Sequence, residues 1–577
     1  MGEIEVSRSK LEEIKEGSRY LHGTISEEIA AGGDTFEKST TQLLKFHGTY
    51  QEDDRDLRKE MKEKGLGRYY IFMVRTAIPG GALTPDQYLT EDELGTEFGN
   101  NSIRITSRQG FQLHSVRKDN LKECIRRINE SGRSTCGACG DVVRNIMATP
   151  LPYKSPVYDD VQALAQELRQ NFVAKSTAYH EIWMNGEKVE ESVPSEEVEP
   201  IYGKVYLPRK FKMGIMVPPR NDIDILTHDL GFIPHFPNGE VEGYTLYVGG
   251  GFGMTHGKDD TYPTLSQPLM YVPRDKTVQA AIAIVTAQRD YGNRENRKRA
   301  RLRYLLEEKG LEWFRTEVES RLDFKPEDPK PIDLGTVSDP YGWFEQGDGK
   351  LFCSVWVQDG RIKDTGTVNY KSGFREIVET FRCPIRLTPN CSIIFHDLDP
   401  ARKDEFDAIL AKHGIPHADD FTEARKLSMA CVALPTCGLA LAESERALPG
   451  VMDQIDAILK REELEDEPIL IRMTGCPNGC ARPYNADIGF VGRGPERYAL
   501  FVGGSFRGER LGVLWKHTVT TDEIPEVVEE LLREFKENRK PSEPFSDYWV
   551  RAHGGYETPR PEQFHQAWES TQGQPVS

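Results

Sequence analysis

Two hydrophobic periods sort this chain into short strands and amphipathic helices. Residues 70–78, YIFMVRTAI, form an apolar run interrupted by Arg75 and ended by Pro79-Gly80-Gly81, which predicts a strand. Residues 102–116, SIRITSRQGFQLHSV, alternate and predict a strand or hairpin. YLPRKFKMGIMVPPRNDIDI predicts a strand with three cations at its start. Helical spacing governs residues 156–168, where Val161, Leu164, Ala165 and Leu168 share a face, and 523–537, where Ile524, Val527, Val528, Leu531 and Phe535 do. Residues 277–308 predict one long helix, apolar first and basic later, its Arg294, Arg297, Lys298, Arg299, Arg301 and Arg303 forming a solvated face. Residues 1–70 read as helical and polar, with the charge-dense QEDDRDLRKEMKEKG at the surface. The acidic stretch 186–200 predicts an exposed loop, and the last 15 or so residues, rich in Gln, Pro and Ser, predict disorder.

Several of these stretches recur in order. SIRITSRQGFQLH (102–114) matches PIRLTPNCSIIFH (384–396), with Ile-Arg-x-Thr opening both and a His closing both. LYVGGG (246–251) matches LFVGGS (500–505), and KMGIMVPPRND (212–222) shares a strand-then-Pro-turn layout with LIRMTGCPNGC (470–480). Preserved order across three pairs implies an internal duplication. The Pro-rich segment 324–340 marks the boundary between the halves. The expected class is α+β, with two related halves and a pseudo-twofold interface suited to a large cofactor.

Composition narrows the setting. The 577 residues are 38% hydrophobic and 29% charged, with no run of 18 apolar residues, so no membrane span is expected. The first residues, MGEIEVSRSKLEEIKEG, are charged and lack the apolar segment of a secretory leader. A reducing cytoplasm is the expected home, where cysteine clusters point to metals rather than disulfides. The net charge of −18 argues against a nucleic-acid partner and makes any local group of cations more informative.

Four of the ten cysteines fall in two loops. Cys431 and Cys437 read C-x5-C, and after 38 intervening residues Cys476 and Cys480 read C-x3-C within TGCPNGC. Four thiolates from two Gly- and Pro-containing loops suit an iron–sulfur cluster. Zinc knuckles favour C-x2-C or C-x4-C. Four inert core thiols are the third reading. The Cys136-Gly-Ala-Cys139 pair is read as non-metal. LYVGGGFGMTHGK lacks the nucleotide fingerprint, since His256 stands where the next glycine is required.

With these motifs assembled, nearly the whole chain, from FHGTYQEDDRD (46–56) to the C-terminal GGS segment, resembles the siroheme-dependent nitrite/sulfite reductase family. ACVALPTCGLA, TGCPNGC, YLPRKFK and GDVVRN carry the likeness. The resemblance implies ferredoxin-like half domains over 70–145 and 336–412 and siroheme/[4Fe-4S]-binding α/β domains over 146–335 and 413–557. Residues 1–69 would be an N-terminal extension and 558–577 a flexible tail. It implies a [4Fe-4S] cluster on Cys431, Cys437, Cys476 and Cys480, with Cys480 shared with the siroheme iron. It implies that Arg104, Arg108, His114, Arg209 and Asn478 contact siroheme, a macrocycle with eight carboxylates, for which arginine forks are suited. It implies that Arg75, Arg144, Lys210 and Lys212 hold sulfite through its six-electron reduction to sulfide in sulfate assimilation and cysteine biosynthesis. All four cations also stand out without it. Arg75 would be costly unpaired in an apolar strand, Arg144 stands before an apolar stretch in GDVVRNIM, and Lys210 and Lys212 would share one side of a strand.

Electrons would come from an NADPH-oxidising flavoprotein subunit, or alternatively from a ferredoxin. Nitrite reduction is the alternative activity, and a metal-binding scaffold the non-enzymatic one. Lys212 favours sulfite, since nitrite-reducing relatives carry Asn there. Two departures from the family's pattern are Val143, where an Asn is common, and Cys391, where Gln is usual.

Overall fold

The computed structural model describes residues 8–176, 183–184, 187–188, 199–553 and 564–567. Its main architecture is four five-stranded sheets in two matched pairs, with helices packed against them. In the first antiparallel sheet the order is Thr49–Asp53, Tyr70–Thr76, Phe111–Val116, Ile103–Ile105, Arg361–Ile362. Its counterpart runs Gly342–Glu345, Leu351–Val355, Ile393–Leu398, Ile385–Leu387, Ala82–Leu83. Each sheet thus takes its fifth strand from the other half: Ile362 pairs with Ile103, and Leu83 with Ile385. The exchange covers an edge on each sheet that would otherwise present unpaired backbone groups.

The second pair of sheets is mixed, and again matched. Met147–Ala148, Met213–Ile215 and Leu230–His235 run parallel, then Gly243–Val248 and Gln267–Pro273 return antiparallel. Met429–Ala430, Ile471–Thr474, Ile488–Gly494, Arg497–Val502 and Val513–Thr520 repeat that plan. Backbone exceptions recur at matching places too. Gln109 and Cys391 both have positive φ (52° and 67°), as do Ser115 and Asp397 (65° and 62°), and Asp224 and Arg482 (56° and 54°). Non-glycine residues rarely adopt this conformation, so its recurrence marks the duplication independently of sequence identity.

The helices follow the expected apolar faces. Pro156–Phe172 buries Val161, Leu164, Ala165 and Leu168 in one core with Phe232 and Ile284. Ile524–Asn538 buries Ile524, Val527, Val528, Leu531 and Phe535 beside Trp549. The halves meet over buried charge: Asp224 takes Arg472 at 3.2 Å, Arg482 at 2.9 Å and the Asn485 amide at 2.8 Å. Removing one partner of such a group strands the others without solvent. Asp224→Ala is expected to lower stability by about 3–5 kcal/mol, read as a shift in the urea midpoint; an unchanged midpoint would contradict this.

Four expectations need correction. The helix predicted over 277–308 stops at Tyr291, and the chain resumes as a short turn, Arg297–Arg299, and a helix, Leu302–Lys309. Ion pairs pull the basic run inward: Arg297 to Asp141 and Arg301 to Asp229. Only Met213–Ile215 of the cation-led segment is strand; before it, Phe211 makes a single bridge with Val143. The N-terminal region is more than polar surface, for Thr49–Asp53 is a sheet strand and Glu12 and Lys15 are buried. Within the tail, Phe564 is buried against Tyr484 and Phe501. The tail apart from residues 564–567, and most of the acidic loop 186–200, lie outside the described residues. Among the described residues no helix is long and apolar enough to cross a membrane.

Candidate cofactor and substrate site

The four cysteines converge from two loops that follow parallel neighbouring strands. Cys431 follows Met429–Ala430; its N–H donates to the Met473 carbonyl (3.3 Å) and to Ser444 Oγ (3.1 Å). Cys476 and Cys480 follow Ile471–Thr474. Gly475 permits the approach of the two loops, because a Cβ there would lie 2.6 Å from both Ala433 Cβ and the Ala442 carbonyl. Its N–H donates to Cys431 Sγ at 3.3 Å, and the Asn478 side-chain amide donates to Cys476 Sγ at 3.4 Å. Donors aimed at sulfur stabilise the thiolate state that cluster iron requires. Burial and the proximity of Cys480 push the Cys431 thiol up to about 12, and the same two causes raise Cys476. Crowded thiols that resist ionisation call for bound positive charge. The quartet is four cysteines with no His, Asp or Glu among them. Its donor set fits the all-thiolate iron–sulfur cluster.

The first half shows what this place looks like without ligands. Thr149 N–H donates to the Ile215 carbonyl, the bond that Cys431 makes to Met473. Thr149 then hydrogen-bonds Asp222 at 3.0 Å. Threonine and aspartate stand where the second half has Cys431 and Cys480.

Beside the cysteine loops lies a cavity of about 250 Å³ lined by Arg209, Lys210, Arg297, Lys298, Arg301 and Asn478, among others, with no acidic side chain among the described residues. More cations crowd behind it. Burial lowers Lys210 well below the usual range, helped by Lys212, Arg209, Arg301 and Arg144. Burial, then Arg108 and Arg301, bring Lys212 down to about 7. Burial and neighbouring Arg144 bring Arg108 down to about 9, and burial with Arg297 brings Arg209 to about 10. Guanidinium nitrogens are also left unmatched: Arg75 Nε, Arg108 Nε and two nitrogens of Arg303 are buried without hydrogen-bond partners among the described residues. So much uncompensated positive charge suits an anion with many carboxylates. The residues present fit siroheme.

The structure draws Arg75, Arg144, Lys210 and Lys212 into this one cationic zone. Arg75 Nη1 donates to Cys139 Sγ at 2.8 Å, and Arg144 Nε to the Gly140 carbonyl at 2.8 Å. The Lys212 N–H is fixed by Asp229, which also pairs with Arg301. Cys480 lies within electrostatic reach of Arg75 and Lys212. Arg108 is anchored through Nη2 to the Asn145 and Met213 carbonyls. Arg104 is committed elsewhere: it pairs with Glu445 at 2.9 Å and donates to the Ala430 carbonyl, one residue before Cys431. Arg361 shares Glu445 and contacts His114 Nδ1 at 3.3 Å. Burial and the two arginines hold His114 well below 6.5, so it is neutral. Arg104, and His114 through Arg361 and Glu445, thus support the loop that carries Cys431.

Sequence reasoning missed Arg297, Lys298 and Arg301. Their density was the available signal, yet a run of cations on a presumed helix reads as solvated surface. Val143 is core, and Cys391 is buried with its Sγ 3.9 Å from Met429 Sδ.

The cation crowding predicts a pH effect in protein prepared without siroheme. Lys212 falls from 10.5 unfolded to about 7 folded, so the unfolded chain binds the extra proton between those values. The stability penalty is complete at and below pH 7 and disappears as pH rises toward 10.5. Lys212→Met is expected to melt higher than wild type at pH 7, by a margin that shrinks by pH 9. A margin independent of pH would contradict the assignment.

Comparison with known proteins agrees with this geometry. The family model for the nitrite and sulphite reductase 4Fe-4S domain matches residues 139–326 and 428–555, one match in each half. The model for the nitrite/sulfite reductase ferredoxin-like half domain matches 65–131 and 344–413. The chain belongs to the nitrite/sulfite reductase family. It is 42% identical over 560 residues to a sulfite reductase [NADPH] hemoprotein beta-component of Staphylococcus haemolyticus, covering 96% of this chain and 97% of that one. A protein of the same name from Methylorubrum populi is 44% identical over 560 residues, covering 96% and 91%. Among solved structures, the Mycobacterium tuberculosis NirA protein superposes with a TM-score of 0.76 at 25% identity, covering 95% and 97%.

Proposed function

We propose that this chain is the siroheme-bearing subunit of an assimilatory sulfite reductase of the cytoplasm, reducing sulfite to sulfide for cysteine biosynthesis. The observation that carries the reading is the crowd of mostly half-buried cations, with only Arg297 and Arg301 of the cavity wall paired to carboxylates among the described residues, beside four converging cysteines. Cys431, Cys437, Cys476 and Cys480 would hold a [4Fe-4S] cluster, and Cys480 would also ligate siroheme, whose carboxylates Arg108, Arg209 and Asn478 would meet. The bound pair supplies a reservoir of single electrons and an iron at which the sulfur of sulfite is reduced.

The chain's own residues bind the anion and manage protons. Turning the sulfite dianion into HS− and three waters takes six electrons and seven protons. Arg75 and Arg144, tied to Cys139 and Gly140, present fixed charge to the sulfite oxygens. Lys212, brought down to about 7 by burial and then by Arg108 and Arg301, exchanges protons readily near pH 7 and so can donate to oxygens leaving as water, and burial with the surrounding cations lowers Lys210 in the same direction. An anion in the site raises both again by favouring the ammonium form.

The electron donor is an NADPH-oxidising flavoprotein subunit; the relatives at 42–44% identity are beta-components of NADPH sulfite reductases, which supports NADPH as the source. Sulfide formation from sulfite by the purified chain with NADPH and such a flavoprotein tests this. Turnover with reduced ferredoxin alone would replace the donor; no sulfide with either would overturn the function.

A further inference from the structure

Behind the cavity wall, the N-terminal helix Lys10–Glu16 reaches into the cation site's support. Lys15 is wholly buried, and its Nζ lies 2.5 Å from Glu12, 3.7 Å from Asp141 and 2.9 Å from the Leu207 carbonyl that it bonds. Asp141, also buried, accepts both Arg297 Nη1 (2.6 Å) and Nη2 (2.9 Å). Arg297 reaches from there to the cavity wall and also donates to the Pro208 carbonyl at 3.3 Å. Glu12 accepts from Arg294 Nη1 at 2.5 Å, whose Nη2 donates to the Tyr206 carbonyl at 2.8 Å. The carbonyls of Tyr206, Leu207 and Pro208 are thus held just before Arg209 and Lys210. That segment has no strand ladder of its own until Met213.

We propose that the N-terminal helix is a clamp that positions the anion-binding cations, with Asp141 and Lys15 as positioning residues acting through Arg297 and the 206–212 segment. The physical need is plain. Lys15, Arg294, Arg297 and Arg209 lie on this side of the cavity and repel one another, and Glu12 and Asp141 are the anions bonded among them. Without Asp141, Arg297 loses its bidentate anchor and Lys15 loses a counter-charge. Both then push on the segment carrying Arg209 and Lys210. This places the N-terminal region within the working site rather than outside it, and it rests on the sulfite reductase reading.

A double-mutant cycle in the full-length holoenzyme tests the clamp. Asp141→Asn and Arg297→Gln are each expected to raise the KM for sulfite about tenfold, the low end for residues that orient a ligand shell, with kcat changed far less. The siroheme-to-polypeptide ratio after gel filtration is expected to fall in both. The double variant is expected to be no worse than the worse single one, because Asp141 acts through Arg297. A purely structural role would lower the melting temperature and leave KM and siroheme content alone. Independent, multiplying effects, or an Asp141→Asn protein with wild-type KM and siroheme content, would overturn the proposal. If Asp141→Asn yields no folded chain, Lys15→Met takes its place, with the same rise in KM expected and a wild-type KM overturning it. A wild-type chain without sulfite reduction would instead defeat the functional reading.

Discussion

Cys480→Ser is expected to abolish sulfite reduction while leaving the fold intact. Groups that merely orient metal ligands cost about 10- to 100-fold when lost, so a thiolate serving both centres should cost more than about 100-fold. The side chain is exposed toward the cationic zone rather than packed in a core. Its carbonyl is held by Ser107 Oγ at 3.0 Å, a bond that serine at 480 would keep. Circular dichroism and melting temperature should therefore match wild type. Sulfide formation with a small-molecule reductant should vanish, and the siroheme bands should shift or weaken. A Ser variant with full turnover would remove Cys480 from the electron path.

Lys212→Asn carries the second large effect. The Lys212 backbone N–H is fixed to Asp229, so the side chain has a defined root. Its pKa of about 7 reflects burial among Arg108 and Arg301, an arrangement that rewards a doubly charged oxyanion more than a singly charged one. Losing one such preorganised donor costs on the order of 10²- to 10³-fold in rate. The expected result is a drop of that size in kcat/KM for sulfite, with nitrite reduction affected much less. Equal losses for both substrates would show that Lys212 does not discriminate between them.

Much of this was legible in the sequence because it is local. The C-x5-C and C-x3-C spacings, the three ordered repeats and the helix faces at 161–168 and 524–535 lie within windows where period and turn chemistry decide structure. Lys210 and Lys212 were found by motif, although the strand invoked to align them begins only at Met213. What local reading could not supply was the partner of each charge. Arg104 is answered by Glu445, Arg297 by Asp141 and Arg301 by Asp229, all far away in sequence. Those pairings turned a presumed surface helix into a cavity wall and gave Arg104 a carboxylate within the protein itself. The exchange of Arg361–Ile362 and Ala82–Leu83 between half sheets has the same origin. Two-residue edge strands leave no periodic signal, and only the duplicated fold gives them a place.

The most direct measurement is the iron, acid-labile sulfide and visible spectrum of anaerobically purified protein, taken before and after sulfite is added. About five iron atoms and four labile sulfides per chain are expected, the sum of one four-iron cluster and one siroheme. The siroheme bands are expected to shift when sulfite binds. Iron and sulfide without siroheme bands, or bands indifferent to sulfite, would contradict the assignment of the cationic cavity to this chemistry.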